Sequence, residues 1–234
     1  DLIKNLNENR PPFYEPELVD YLNDSNIRNN LCFSTSYQKS SNENTDIVFV
    51  CVQTPTDPDT GKTKTDYISS VLTELKKIER FNFIVCIKST IKATLVEKIS
   101  NEIDLDYKKI IFNPEFLREG SAFYDFFNPD RIVIGGSDQK GLNQCTELYE
   151  SFDCEKIITD SNSSQMIKYL SNTYLAMRLS FVNETYRLVS EFNGNPEEVL
   201  NAIGKDKRIG SDYFRPSPGW GCLLYTSDAA DECS

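Results

Sequence analysis

Ile47-Val48-Phe49-Val50-Cys51-Val52 is a continuous apolar run rich in β-branched residues. Such a run reads as a strand buried on both faces. It ends in the proline-punctuated loop Thr54-Pro55-Thr56-Asp57-Pro58. Beyond the loop, Ile68, Val71, Leu72, Leu75 and Ile78 recur at helical spacing, so a helix capped by Asp66 is expected over Tyr67 to Arg80. Phe83 to Ile87 is the next buried strand, closed by Ser89-Thr90. Working outward, Leu31-Cys32-Phe33 is a short strand candidate. On the other side come a helix from Ala93 to Ile103, a strand Lys109 to Phe112, and a strand Arg131 to Ile134 closed by Gly135-Gly136. A helix Gln139 to Phe152 and a strand Lys156 to Thr159 complete the series. Apolar strands alternating with amphipathic helices predict an α/β fold, a Rossmann-type parallel sheet with right-handed crossovers.

After Asp160 the pattern changes. Met166, Ile167, Leu170, Leu175, Leu179, Val182 and Leu188 recur every three or four residues, predicting one long helix from Ser161 to Phe192. Asn193-Gly194-Asn195-Pro196 stops it, and Pro196 suits the start of a second helix, Glu197 to Ile203. A domain boundary is expected near Asp160, giving a sheet domain over 1–160 and a long-helix central domain over 161–221.

Bulk properties exclude several functions. The 234 residues carry a net charge of −11, which argues against a nucleic-acid partner. No apolar run approaches the ~18 residues of a membrane helix, so no span is expected. Seven cysteines are scattered singly without a C-x-x-C pair, a usage that suits a reducing cytoplasm. Histidine is absent, which removes the Ser-His-Asp triad, the Cys-His pair and most zinc sites; no metal site is expected. Acid–base chemistry is left to carboxylates, lysine, cysteine or bound water.

The octet Asn113-Pro114-Glu115-Phe116-Leu117-Arg118-Glu119-Gly120 follows the apolar Ile110-Ile111-Phe112. Ligands of open α/β sheets bind where the chain leaves the strands, so two carboxylates four residues apart stand at a candidate site. If the segment turns helical, Glu115 and Glu119 share one face. The alternative is a solvated helix start, where acidic residues suit the dipole. Thr54 and Thr56, Ser89 and Thr90, then Asn113 and Glu115 end successive strands and can converge along one sheet edge. On the long helix, Lys168 and Asn172 are four residues apart and share a face, although a helix lysine is most often a solvated charge. The Pro/Gly/aromatic stretch from Arg208 to Gly221 is either a solvent turn or a ligand-gripping loop, with arginines and Tyr213 suited to phosphate or sugar.

Together these motifs resemble the UDP-glucose/GDP-mannose dehydrogenase family. The match runs from Tyr14-Glu15-Pro16 through Thr54-Pro55-Thr56, Lys88-Ser89-Thr90, the octet, Arg131 to Gly136, Lys168 to Tyr174, Asn183-Glu184 and Asp206 to Gly210, ending at Pro218-Gly219-Trp220-Gly221. The octet with Lys-Ser-Thr is most similar to the UDP-glucose 6-dehydrogenase branch. GDP-mannose or UDP-N-acetyl-hexosamine dehydrogenases, or a non-catalytic dimerisation or binding module, are the alternatives. The resemblance implies a two-step, NAD-dependent oxidation of a UDP-sugar C6 alcohol to a carboxylate through a cysteine thioester. It also implies a homodimer through the long helix 161–192. By motif it assigns Thr56, Thr90 and Glu119 to the cofactor, and Thr90, Glu115, Glu119, Lys168 and Asn172 to catalysis. Glu115, Phe116, Leu117, Lys168, Asn172, Tyr213 and Gly221 would contact substrate.

The chain departs from the family at both ends. The Gly-rich phosphate turn, the ribose-binding acid and the nucleophilic cysteine motif Gly-Gly-x-Cys-x-Pro-Lys-Asp are not in it, and Cys222 stands two positions too early. Leu2, Ile3 and Leu6 read as the last turn of a helix, and 222–234 as a non-native tail. A fragment is therefore expected, one without turnover alone and with unpaired strands in mid-sheet that favour aggregation.

Overall fold

A computed structural model of the chain describes residues 2–37, 45–78, 83–118, 120–211 and 214–216. The chain divides into two units, Asp1–Lys168 and Tyr169–Ser234.

The first unit opens with three short helices, α1 (Leu2–Asn7), α2 (Leu18–Asn23) and α3 (Ser25–Arg28). The sheet elements follow as β1 (Ile47–Val50), α4 (Asp66–Lys76), β2 (Ile84–Ile87), α5 (Ala93–Glu102), β3 (Ile110–Phe112), α6 (Ala122–Phe127), β4 (Arg131–Gly135), α7 (Gln139–Glu147) and β5 (Glu155–Thr159). The five strands form one sheet in the order β1-β2-β3-β4-β5. Its faces bury different sets. Val50, Val85, Ile87, Ile110 and Phe112 pack with Ile68, Leu72 and Leu75 of α4 and Val96 and Ile99 of α5. On the other face Cys86, Ile111, Ile132 and Ile134 meet Leu142, Cys145 and Tyr149 from α7 and the turn after it. Alternation along each strand divides the apolar residues between the two layers, as a doubly covered sheet requires. The thiols of Cys86 and Cys145 touch at 3.8 Å inside the second layer, as small apolar groups.

Three expectations change. Residues 31–33 form no strand; Leu31 and Cys32 are exposed, and Phe33 lies under Arg28, 5.9 Å from ring centroid to guanidinium carbon. With no strand there, the five strands among the described residues leave no gap between them, and β1 is an edge among these with Phe49 exposed. Cys51 is exposed just past β1 rather than buried within it. The sheet is also not wholly parallel. Strands β1, β2 and β3 are parallel, as are β4 and β5, but β3 and β4 meet antiparallel through the pair Phe112 and Gly135, the last residue of each. A parallel return needs a crossover of a dozen or more residues, usually a full helix. Between these strands residues 113–118 form no helix and α6 has only six residues.

Helix α8 (Ser161–Glu191) begins in the first unit and continues into the second. In the second unit it is followed by α9 (Pro196–Gly204), with Pro196 in the first turn and the Asn195 side chain accepting the Glu197 and Glu198 amides. Leu170, Tyr174, Met177, Phe181, Leu188 and Phe192 are all exposed, between 48 and 80 %. Their spacing of three, four or seven puts the first five on one stripe of the helix, with Phe192 just past its end.

Candidate functional site

In the first unit, the opening turns of α8 come close to the end of β4. A Cβ on Gly135 would collide with the Ser164 side chain and stand 2.7 Å from the Asp160 carbonyl, so only glycine admits the helix here. The approach carries Lys168 to the octet. Its Nζ donates to Glu115 Oε1 at 2.9 Å, with side chains 4 % and 20 % exposed respectively. The other oxygen of Glu115 accepts the Leu117 amide at 2.6 Å. The Phe116 ring has Arg131 Cζ 4.2 Å and Lys168 Nζ 5.4 Å from its centroid. A buried ammonium held by a half-buried carboxylate is a donor ready for developing negative charge, beside a group able to take a proton.

Asn113 forms the floor. It is buried at the end of β3; its Nδ2 donates to the Val133 carbonyl at 2.8 Å, and its Oδ1 accepts from Lys88 Nζ at 3.0 Å and the Tyr149 hydroxyl at 2.6 Å. Asn113, two residues before Glu115, is thereby tied to β4, to the end of β2 and to the turn after α7. Burial pushes the Tyr149 phenol up, which keeps it a donor at every ordinary pH. The Thr54 hydroxyl donates to the Thr90 carbonyl at 2.9 Å, and Ser89 Oγ donates to the carbonyl of Val52, so the first two strand ends are stitched together. Among the described residues, two buried side-chain atoms near this stitch have no partner, Thr90 Oγ1 and Gln165 Nε2. Gln165 Oε1 accepts the Ile91 amide at 3.3 Å. Buried orphan donors are uncommon, and an ordered water or a ligand group is what completes them.

Residues 113–118 are not helical, so the expected common helix face of the two glutamates does not form; Glu119 lies outside the described residues. Pro114 disfavours helical backbone at Asn113, and α6 starts only at Ala122. A side-chain clamp holds the loop instead. Asp125 accepts from the Arg118 amide at 3.0 Å and from its Nε and Nη2 at 2.9 and 2.6 Å, and Glu15 accepts the Phe123 amide at 3.2 Å. The Arg118 guanidinium holds the Asp125 carboxyl below its ordinary 3.8. A depressed folded pKa contributes stability that is present above the unfolded value and lost as pH falls through the folded one. Protection of the Arg118 amide, its exchange rate taken relative to the intrinsic rate at each pH, is therefore expected to fall only below about 3.8, and to be lost throughout in Asp125→Asn. A flat profile in the unsubstituted chain would remove the clamp from the account.

Of the other anticipated residues, Thr56 is exposed in a bridge to Thr63, and Leu117 is exposed. Asn172 is half-buried on α8 in the second unit, while Tyr213 and Gly221 lie outside the described residues. Arg131, Asp125, Tyr149 and Gln165 were not anticipated. Arg131 heads a strand and Gln165 sits in a helix face. Asp125 and Tyr149 reach their partners across 7 and 36 residues, and such separations carry no periodic signal.

Residues 1–153 match the UDP-glucose/GDP-mannose dehydrogenase family, NAD binding domain, and residues 162–230 match the central domain of the same family. The chain belongs to the UDP-glucose/GDP-mannose dehydrogenase family. It is 35 % identical over 225 residues to the UDP-glucose 6-dehydrogenase YwqF of Bacillus subtilis, covering 93 % of this chain and 50 % of that protein. The solved UDP-glucose dehydrogenase of the hyperthermophilic archaeon Pyrobaculum islandicum superposes with a TM-score of 0.85 at 32 % identity, over 96 % of this chain and 53 % of that one. The GDP-mannose dehydrogenase of Pseudomonas aeruginosa superposes at 0.80 with 27 % identity, over 92 % and 52 %. The chain thus spans about half the length of the family members it matches. Among the described residues no helix is long and apolar enough to cross a membrane.

Proposed function

We propose that this chain supplies the acid–base and oxyanion-binding half of an NAD-dependent nucleotide-sugar 6-dehydrogenase, with UDP-glucose oxidised to UDP-glucuronate. The observation that carries the reading is the Lys168–Glu115 pair, an ammonium and a carboxylate 2.9 Å apart at the strand ends of an NAD-binding fold. Lys168 would donate to the sugar oxygen as negative charge develops on it, and Glu115 would take the proton of the water that releases the acid. Asn172, on the same helix one turn further on, would share the oxyanion. Phe116 and Leu117, with Tyr213 and Gly221, would contact the sugar nucleotide. Thr90, whose buried hydroxyl has no partner among the described residues, fits a polar group of NAD; Thr56 and Glu119 would complete that contact. Bound NAD supplies the two-electron acceptor for each oxidation. The exposed stripe on α8 supports a homodimer through that helix, and cysteines scattered singly through the sequence, without a C-x-x-C pair, support a cytoplasmic setting.

The test is a substrate panel on a protein that carries this chain within a full-length family member. UDP-glucose is expected to yield two NADH per sugar, and Glu115→Gln to reduce kcat by about 10²–10⁴. Preference for GDP-mannose or a UDP-N-acetyl-hexosamine would reassign the substrate, and turnover unaffected by Glu115→Gln would end the acid–base assignment.

A further inference from the structure

Cys86 and Cys145 are the two buried cysteines among the described residues. They are 59 positions apart in sequence, yet their sulfurs lie 3.8 Å from each other. The chemistry proposed above uses neither. Each stands close behind one of the two groups that donate to Asn113 Oδ1: Cys86 is two residues before Lys88, and Cys145 four residues before Tyr149. The thiols therefore meet, on the core side, between the two elements that hold the floor of the candidate site. The contact also crosses the sheet, because Cys86 belongs to β2 and Cys145 to α7, the helix between β4 and β5.

The pair is placed to react. Cys86 hydrogen-bonds Cys145, which holds the Cys145 thiol below its ordinary value, while the same bond and burial push Cys86 up. Cys145 is thus the sulfur that ionises first, with Cys86 beside it. Phe49 is in register with Cys86 on the same face and is 38 % exposed, so the pair lies one strand in from an edge of the described sheet. A disulfide requires the sulfurs to close by about 1.8 Å, a distance that small χ1 rotations of both side chains cover.

We propose that Cys86 and Cys145 form an oxidisable dithiol whose disulfide locks together the two elements that hold Asn113. The oxidant is a small peroxide, admitted by local opening at the β1 edge. The Cys145 thiolate attacks one peroxide oxygen, the O–O bond breaks, and hydroxide leaves as water with the proton that Cys145 gave up. Cys86 sulfur then attacks the sulfenic sulfur; the S–S bond forms, the S–O bond breaks, and a second water carries off the Cys86 proton. The two thiols lose two electrons and one peroxide becomes two waters.

A chain with Cys32→Ser, Cys51→Ser, Cys154→Ser, Cys222→Ser and Cys233→Ser keeps only the pair. Hydrogen peroxide is expected to consume both of its thiols, lower its mass by two hydrogens and join the tryptic peptides 81–88 and 141–156, with dithiothreitol reversing all three. The Asn113 amide, which donates to the Ile87 carbonyl at 2.9 Å, should exchange about tenfold or more slowly in the disulfide form. The Tm of the first unit should rise by about 4–16 °C, with exchange at Val182 in the second unit unchanged. Where that multiple variant does not fold, Cys154→Ser alone permits the same peptide map, and adding Cys145→Ser should abolish the link. Thiols that survive a dose sufficient to oxidise Cys51 in the unsubstituted chain overturn the proposal, as does a gain of oxygen in place of the link. A link that leaves Asn113 exchange and Tm unchanged overturns the lock.

Discussion

Glu115→Leu is expected to destabilise the first unit by about 3–5 kcal/mol, because it leaves the Lys168 ammonium buried without its carboxylate. The two ends of the pair are not equivalent. The Lys168 side chain is 4 % exposed and that of Glu115 is 20 % exposed, so water can reach a stranded carboxylate far more readily than a stranded ammonium. Lys168→Met should accordingly cost less, about 1–3 kcal/mol, as for a buried acceptor losing its donor. The double substitution Glu115→Leu with Lys168→Met should recover most of the loss, since it leaves no buried charge. Thermal unfolding checks the order: a chain of this size shifts by about 2–4 °C in Tm per kcal/mol. Equal losses in the two single variants, or a double variant worse than either, would mean that the pair does not govern stability here. Catalysis should show the opposite pattern. The double variant, although stable, is expected to be inactive in a full-length enzyme, because the donor for developing charge is gone.

Phe181→Glu is expected to convert an α8-mediated dimer into monomers. Phe181 is 53 % exposed in the middle of the stripe, between Met177 and Leu188. Covering a large apolar side chain contributes about 1.5–3 kcal/mol when the burial is complete. A two-fold axis counts every substitution twice, and a carboxylate placed in the seam adds a desolvation penalty. Association should therefore weaken by at least about a hundredfold, a change that sedimentation over a concentration series resolves. Ser190→Glu is the matched control; Ser190 is exposed on the same helix nine residues from Phe181, on the opposite side from the stripe, and its substitution should leave the association unchanged. A chain that is monomeric without substitution, or equal effects from both variants, would dismiss the stripe as an interface.

The elements most legible in the sequence are those whose signal is periodic. Ile84–Ile87 and Ile110–Phe112 are buried at every position, and continuous apolar runs announce such strands. Helix α8 ends one residue from its expected limit because Asn193-Gly194 is a strong stop. The failures are equally physical. Leu31-Cys32-Phe33 has strand composition but no neighbouring strand to complete its ladder, and composition says nothing about neighbours. The antiparallel junction of β3 and β4 depends on how much of the connection becomes helix, and Asn-Pro shortens that helix. At the candidate site, Glu115 and Lys168 stood out because charge at a strand end or on a helix face is noticeable. Asn113, Tyr149 and Arg131 act through contacts between residues distant in sequence, to which no spacing rule applies.

The junction of β3 and β4 also bears on how the sheet yields under stress. Where two strands meet only at their last residues, the backbone ladder is nearly absent, and the Asn113 amide on the Val133 carbonyl serves in its place. The sheet is perforated along that line. Its two halves, β1 to β3 and β4 to β5, can open as separate cooperative segments at free energies below that of complete unfolding. Asn113 and Glu115 stand on the perforation itself. A tear there would dismantle the site while most of the sheet stayed folded, so the first thing such a protein loses under mild stress is its chemistry, and only later its shape.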